Sequence, residues 1–291
     1  MSIALRIRGE AKDLGGFSVA RLLPHPDRPA VGPFVFYDHI GPALFPPGEG
    51  ISVRAHPHIG LATLTYLFEG GLRHRDSLGT VQDIGPGAVN WMVAGRGIAH
   101  SERTPPELAA AGHRVHGIQV WLALPAAHEE DPPAFRHQPA EEVPEVALAG
   151  GTARVIAGSL WGGTAALAFP HPVLLAELRL DGGRLPLEAG WGERAVHLVS
   201  GTARLGGEPA AAGEFCVLAE GHTILLEAEG PVHAVLIGGA PVEGPRILWW
   251  NFIASAPERI ARAKAEWAAR PLAGRFGPVP GETEFIPLPD A

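Results

Sequence analysis

The chain has 291 residues, 46% of them hydrophobic and 19% charged, with a formal net charge of −8. This is enough apolar material for one large domain or two smaller ones, and an acidic balance with no Lys/Arg-rich run gives no footprint for direct nucleic-acid binding. Cys216 is the single cysteine, which excludes an intrachain disulfide and a thiolate metal cluster; with no signal-peptide layout and no apolar run of membrane-spanning length, a soluble, reducing, cytoplasmic setting is expected.

The 38 glycines and 29 prolines are spread along the whole chain and argue for many short strands joined by tight turns rather than a helical bundle. Ile3, Leu5 and Ile7 alternate with polar or small residues and predict an edge or covering strand. Phe34 to Ile40 is an aromatic strand bracketed by Gly32-Pro33 and Gly41-Pro42. The stretch carrying His56 and His58 leads into Leu61 to Phe68, an apolar, threonine-containing run suited to a buried strand. Short strands then alternate with turn signals: Leu72 to Asp76, Val81 to Ile84, Ala88 to Met92 and Gly117 to Leu124, with Glu69-Gly70-Gly71, Ser77 to Thr80 and Gly85-Pro86-Gly87 between them. Such spacing predicts an all-β barrel or sandwich.

Ala126 to Gly151, rich in Pro and Glu, reads as a linker, with an ordered loop equally open for its first half. The expected division is residues 1–135 for a first, metal-binding barrel and 136–291 for a second barrel with a C-terminal helix and tail. The strand rhythm returns at Leu174 to Leu180, Ala195 to Val199, Thr202 to Leu205, Phe215 to Leu218, Thr223 to Glu227 and Val232 to Ile237. Aligning Glu69-Gly70 with Ser200-Gly201 and Gly87 with Gly213 puts Leu187 and Ala189 where the first barrel has His56 and His58, and Leu226 and Ala228 where it has His100 and Glu102. The second barrel is therefore expected to be metal-free. Ser255-Ala256-Pro257-Glu258 predicts a capping box, followed by a helix with Ile260, Ala263 and Trp267 on its apolar face, a Glu258/Arg262 pair, and an end at Arg270-Pro271. The Pro/Gly-rich tail to Ala291 is expected to wrap a barrel.

The chemistry concentrates in two pairs, His56 with His58 and His100 with Glu102, each spaced i, i+2. Residues two apart on a strand point to one face, so two neighbouring strands would converge three imidazoles and a carboxylate on one point. A second same-face pair lowers the chance that His56-Pro57-His58 is an ordinary strand segment. Neutral nitrogen and carboxylate oxygen suit a first-row divalent ion, iron(II) first, then manganese, nickel, copper and zinc. Six-coordination would leave two positions for water, dioxygen or a substrate with adjacent oxygens. Glu102 is expected as fourth ligand, with an outer partner of His100 as the minority alternative. His39 reads as a core or loop residue, or behind that an outer partner of the metal. His197 and Cys216 read as core residues, and most of His25, His74, His113, His116, His128, His137 and His171 are expected at the surface.

Several runs resemble the pirin family of two-cupin proteins: Pro33 to Pro42, His56-Pro57-His58 with Thr63 to Gly70, His74, Asp76 to Gly79, Asn90 to Glu102, and Gly117 to Pro125. In the second half the resemblance rests on strand rhythm, Trp249-Trp250-Asn251-Phe252, the Ile260 to Trp267 helix and Arg275-Phe276-Gly277. It implies two cupin (double-stranded β-helix, or jelly-roll) barrels with one mononuclear metal, usually iron, in the N-terminal barrel, held by His56, His58, His100 and Glu102. It also implies one of two roles. Some bacterial members are described as quercetin 2,3-dioxygenases, whereas animal members are described as iron-dependent nuclear transcriptional cofactors.

Ile59-Gly60-Leu61-Ala62 stands where the members best known for quercetinase activity tend to carry an Arg-Gly-Phe-Glu type of run, and so bears on substrate choice. The leading expectation is a metal-dependent dioxygenase that opens a flavonol or similar aromatic with O2 and releases carbon monoxide, with Glu102 as ligand and base for the substrate hydroxyl. The alternatives are a non-enzymatic regulator acting through a protein partner, and another cupin reaction such as isomerisation.

Overall fold

In the computed structural model, which describes residues 1–14 and 17–289, strands form where short apolar runs alternate with glycine and proline turns. The expectation of an all-β protein with a C-terminal helix holds. Leu72–Asp76, Val81–Ile84 and Thr202–Leu205 match the expected strands residue for residue, whereas the aromatic strand is longer, Phe34–Phe45. A six-residue helix, Pro106–Ala111, was not evident from the sequence pattern. No described helix is long and apolar enough to cross a membrane.

The chain forms two compact units, and each pairs a seven-stranded sheet with a four-stranded one. One unit, here the histidine barrel, comprises Ala11–Ala20, Asp38–Ala140 and Glu243–Ala291. Its four-stranded sheet runs in the order Ser52–His58, Ile98–Arg103, Leu72–Asp76, Val81–Ile84. The other, the leucine barrel, comprises Met1–Glu10, Arg21–Tyr37 and Glu141–Val242. Its four-stranded sheet repeats the same order with Gly183–Leu187, Ile224–Ala228, Thr202–Leu205 and Glu208–Ala211.

The change of unit at Ala140/Glu141 lies near the expected division at 135/136, but the termini are exchanged relative to it. Ile3–Arg8 pairs antiparallel with Glu214–Leu218, buries Ile3 and Ile7, and forms the edge strand of the leucine barrel. The C-terminal segment belongs to the histidine barrel. Ile260, Ala263 and Trp267 of the Pro257–Ala269 helix pack in one apolar cluster with Ala55, Ile59 and Ala99, residues interleaved with the histidines in sequence. Strand alternation therefore sends the histidines to one face and the helix contacts to the other. The tail follows the same strand: the Ile286 N–H donates to the Ala55 carbonyl at 2.8 Å. Asp290 and Ala291, the end of the expected wrapping tail, lie outside the described residues.

Two local expectations change. Ala126 to Gly151 is ordered rather than a free linker: Ala134–Gln138 pairs with Val89–Val93, and Glu145–Leu148 pairs with Gly151–Ala157. The capping box does not form, because the Ser255 hydroxyl donates at 2.9 Å to the buried carboxylate of Glu129, leaving Ala256 as the N-cap without a side-chain bond. Arg259 also pairs with Glu129, and Arg262 reaches Glu130 at 3.4 Å and Glu266 at 3.9 Å rather than Glu258. A buried acid from a distant segment outcompetes the local cap.

Candidate metal centre

Ser52–His58 and Ile98–Arg103 are neighbouring antiparallel strands, with His100 opposite His56 and Ile98 opposite His58. The i, i+2 spacing therefore does what the sequence suggests: ligating atoms of His56, His58 and His100 come within 4.8 Å of one another, all three rings buried. A register shift between His100 and Glu102 marks a bulge around Arg54 and Ala55. Bulges re-aim side chains beside functional sites. Here the Arg54 carbonyl accepts from His56 Nδ1 at 2.9 Å.

Every Nδ1 of the three rings has a partner away from the centre. His56 uses the Arg54 carbonyl, His58 the Asn251 carbonyl at 3.2 Å, and His100 the Nδ1 of His74 at 3.3 Å. The Nε2 atoms of His58 and His100 face each other at 3.0 Å. Two nitrogens each about 2.1 Å from one ion and at right angles about it would be about 3.0 Å apart, so the pair fits adjacent positions on a single divalent metal. Burial pushes His58 and His100 well below the ordinary imidazole value of 6.5 and lowers His56 as well. The rings are thus neutral, with lone pairs available. The donor set fits a divalent cation.

Glu102, expected as the fourth ligand, is buried beside this group but is not part of it. Its Oε1 accepts from Gln119 Nε2 at 2.6 Å and from the Thr65 hydroxyl at 3.4 Å. Gln119 and Thr65 are cross-strand partners on the facing sheet, so both present to Glu102 from one side. Trp121, two residues from Gln119, meets the His58 ring edge-on at 5.1 Å between centroids. These supporting residues have no metal-ligand signature in the sequence.

Of the histidines expected at the surface, His74 and His113 are instead buried. His74 stands behind His100, bonds Asp76 at 2.9 Å, and stacks on Phe135 at 4.4 Å between centroids. His113 bonds Thr104 and stacks on Phe45. His39 bonds His116, Nε2 to Nε2 at 2.8 Å, and is not in the three-histidine group. His197 is a core residue bonded to the Tyr37 hydroxyl at 3.0 Å, and the buried Cys216 thiol is pushed up to about 11 by burial.

In the leucine barrel the register shows which residues take the same places. Leu226 lies opposite Leu185, and Ile224 opposite Leu187, as His100 lies opposite His56 and Ile98 opposite His58. The counterparts of His56 and His58 are therefore Leu185 and Leu187, two residues earlier than the turn alignment placed them; a two-residue slip preserves the face. Leu226 and Ala228 stand for His100 and Glu102 as expected. All four sit in one buried apolar cluster.

Residues 16–122 match the pirin family, and residues 176–276 match the pirin C-terminal cupin domain. A pirin-like protein of Caulobacter vibrioides is 43% identical over 284 residues, covering 96% of each chain. The chain belongs to the pirin family. Human pirin is 31% identical over 258 residues, covering 85% of each chain. The structure of quercetin 2,3-dioxygenase from Acinetobacter baumannii is similar at 32% identity with a TM-score of 0.91, covering 99% of this chain and 95% of that one. Both units are thus pirin cupins, one carrying histidines at its centre and the other leucines.

Proposed function

We propose that this pirin is a metal-dependent dioxygenase that opens quercetin or a related flavonol with O2, using iron(II) held by His56, His58, His100 and Glu102. The observation that carries the reading is the convergence of three buried, neutral imidazoles with a carboxylate held beside them. The similarity in fold and sequence to a protein described as a quercetin 2,3-dioxygenase supports the substrate class. When bound, the metal supplies a Lewis-acid and redox centre for a substrate with adjacent oxygens.

The chain's own residues do the rest. His56, His58 and His100 are fixed by their Nδ1 bonds and present Nε2 inward. Glu102 accepts the substrate hydroxyl proton, with Gln119 and Thr65 holding Oε1 so that the other oxygen is the one that acts. Trp121 packs on His58 and keeps water from that side of the ligand. Ile59 and Ala62 are both buried and apolar, and Ile59 packs in the C-terminal-helix cluster on the face away from the histidines, so neither adds charge near His58. The cytoplasm is the setting we assign, in keeping with a lone, buried cysteine.

The test is anaerobic loading with iron(II), followed by quercetin and oxygen, read as loss of the flavonol absorbance. Turnover that disappears in Glu102→Gln while the metal stays bound is the expected result. A protein that binds one metal yet leaves the flavonol intact with every divalent ion tried would overturn the reaction and favour the non-enzymatic regulator acting through a protein partner.

A further inference from the structure

Among the described residues, two of the histidine barrel's polar side chains, Asp76 and His74, stand in series behind His100 of the metal group. Asp76 is fully buried, and His74 and His100 nearly so. Asp76 Oδ2 is 2.9 Å from His74 Nε2, and His74 Nδ1 is 3.3 Å from His100 Nδ1. Asp76 Oδ1 accepts from the backbone N–H groups of Leu78 at 2.8 Å and Thr80 at 3.2 Å, which locks the carboxylate in place. The stacked Phe135 ring holds the His74 plane.

We propose that Asp76 and His74 form a buried relay that fixes the tautomer of His100 and strengthens it as a donor, making His100 the ligand through which the chain tunes its metal. The proposal rests on the metal-site reading and is independent of the flavonol reaction. The direction follows from what each group can do. A carboxylate only accepts, so His74 Nε2 carries the proton that faces it. His74 Nδ1 is then an acceptor, and the N–H of His100 Nδ1 donates to it. That leaves the His100 Nε2 lone pair for the metal.

The other two ligands lack this arrangement. His56 and His58 each lean on a neutral peptide carbonyl, whereas His100 is backed, through one ring, by a carboxylate. The electrostatics point the same way. A buried carboxylate needs compensation, and with the relay so polarised the partners of Asp76 are neutral donors: two peptide N–H groups and an imidazole. A divalent cation beyond His100 supplies the missing positive charge. In the leucine barrel the places of His74 and Asp76, opposite Ala228 and Leu226, are taken by Ala203 and Leu205. Relay and ligands are thus present together or replaced together.

The Asp76→Asn substitution inverts the relay. The amide oxygen can keep the Leu78 and Thr80 N–H groups while its NH2 faces His74, which turns the His74 proton toward His100 and opposes the ligating tautomer. His74→Phe keeps a ring against Phe135 but removes the acceptor. The experiment titrates the full-length apo protein with cobalt(II) against a competing chelator and records the visible ligand-field band of the bound ion.

Affinity should fall about 100-fold in Asp76→Asn and about tenfold in His74→Phe, the span expected for loss of an outer partner. The band should shift in both, with apo melting curves close to wild type for His74→Phe. Wild-type affinity with an unshifted band in both variants would overturn the relay. So would weakened binding with an unshifted band, which is the mark of a merely loosened site. If Asp76→Asn fails to fold because the Leu78–Thr80 turn depends on it, His74→Phe decides alone. A wild-type protein that binds no cobalt would overturn both the relay and the metal-site reading, whereas a failed flavonol assay would leave the relay standing.

Discussion

The histidine and leucine barrels repeat one strand order but fill its centre with opposite chemistry. Where the first has His56, His58, His100, Glu102, His74 and Asp76, the second has Leu185, Leu187, Leu226, Ala228, Ala203 and Leu205. The leucine set is buried in a single apolar cluster and needs no partner beyond packing. The polar set must have each buried group satisfied, and it spends carbonyls from Arg54 and Asn251, a bulge, and the Gln119–Thr65 pair to do so. The cupin frame tolerates either filling. Function lies in the filling and not in the frame.

The largest effect is expected from removing a ligand. His100→Ala should weaken divalent-metal binding by more than the roughly 100-fold that loss of an outer partner can cost, measured by chelator competition, while circular dichroism shows the barrels intact. Crossing the two fillings comes next. Leu226→Ala in the leucine barrel should lower the unfolding free energy by about 2–5 kcal/mol in denaturant melts, because a packed apolar site collapses only partly. His58→Leu in the histidine barrel should change apo stability by no more than about 1 kcal/mol, since the lost bond to Asn251 and the gained apolar burial are similar in size. It should nevertheless abolish tight metal binding. A large loss of apo stability in His58→Leu would mean that the histidines hold the fold rather than a metal.

A smaller effect is expected with pH. The three imidazoles have folded values below 6.5 because of burial. Below pH 6.5 the unfolded chain therefore binds more protons than the folded one. Apo stability should be full above pH 6.5 and fall as the pH drops beneath it towards the depressed folded values, by up to about 1.4 kcal/mol per pH unit for each ring. The leucine barrel has no such set at its centre, and His58→Leu should flatten the slope. Denaturant melts of the apo protein at pH 7.5, 6.5 and 5.5 check this. The smallest effect is expected from Gln119→Leu: metal content unchanged, with turnover down about tenfold, the size of one charge-assisted hydrogen bond.

Much of the histidine barrel was legible because strands have a period of two. His56 with His58 and His100 with Glu102 announce a shared face from spacing alone. His74 and Asp76 carry the same i, i+2 signal, but a histidine between arginines reads as a surface residue until the ladder sets it opposite Glu102. Gln119, Thr65 and the Asn251 carbonyl carry no ligand signature, and their role depends on tertiary contacts. The leucine-barrel equivalences were legible in face but not in register, because turn spacing fixes strand position only to within a residue or two. The exchange of termini was hidden for a further reason: Ile3–Arg8 pairs with Glu214–Leu218, far away in sequence, and a strand pattern does not name its partner. The false capping box at Ser255 is the same lesson on a smaller scale, since Glu129 is 126 positions away.

The central claim is that the three convergent imidazoles are one metal site, confined to the histidine barrel. The most direct test is the metal stoichiometry of the protein loaded anaerobically with iron(II) and freed of excess, compared with His56→Ala prepared in the same way. The account predicts about one ion per chain in the wild type and essentially none in the variant, with both folded. Equal metal content in the two proteins would contradict it.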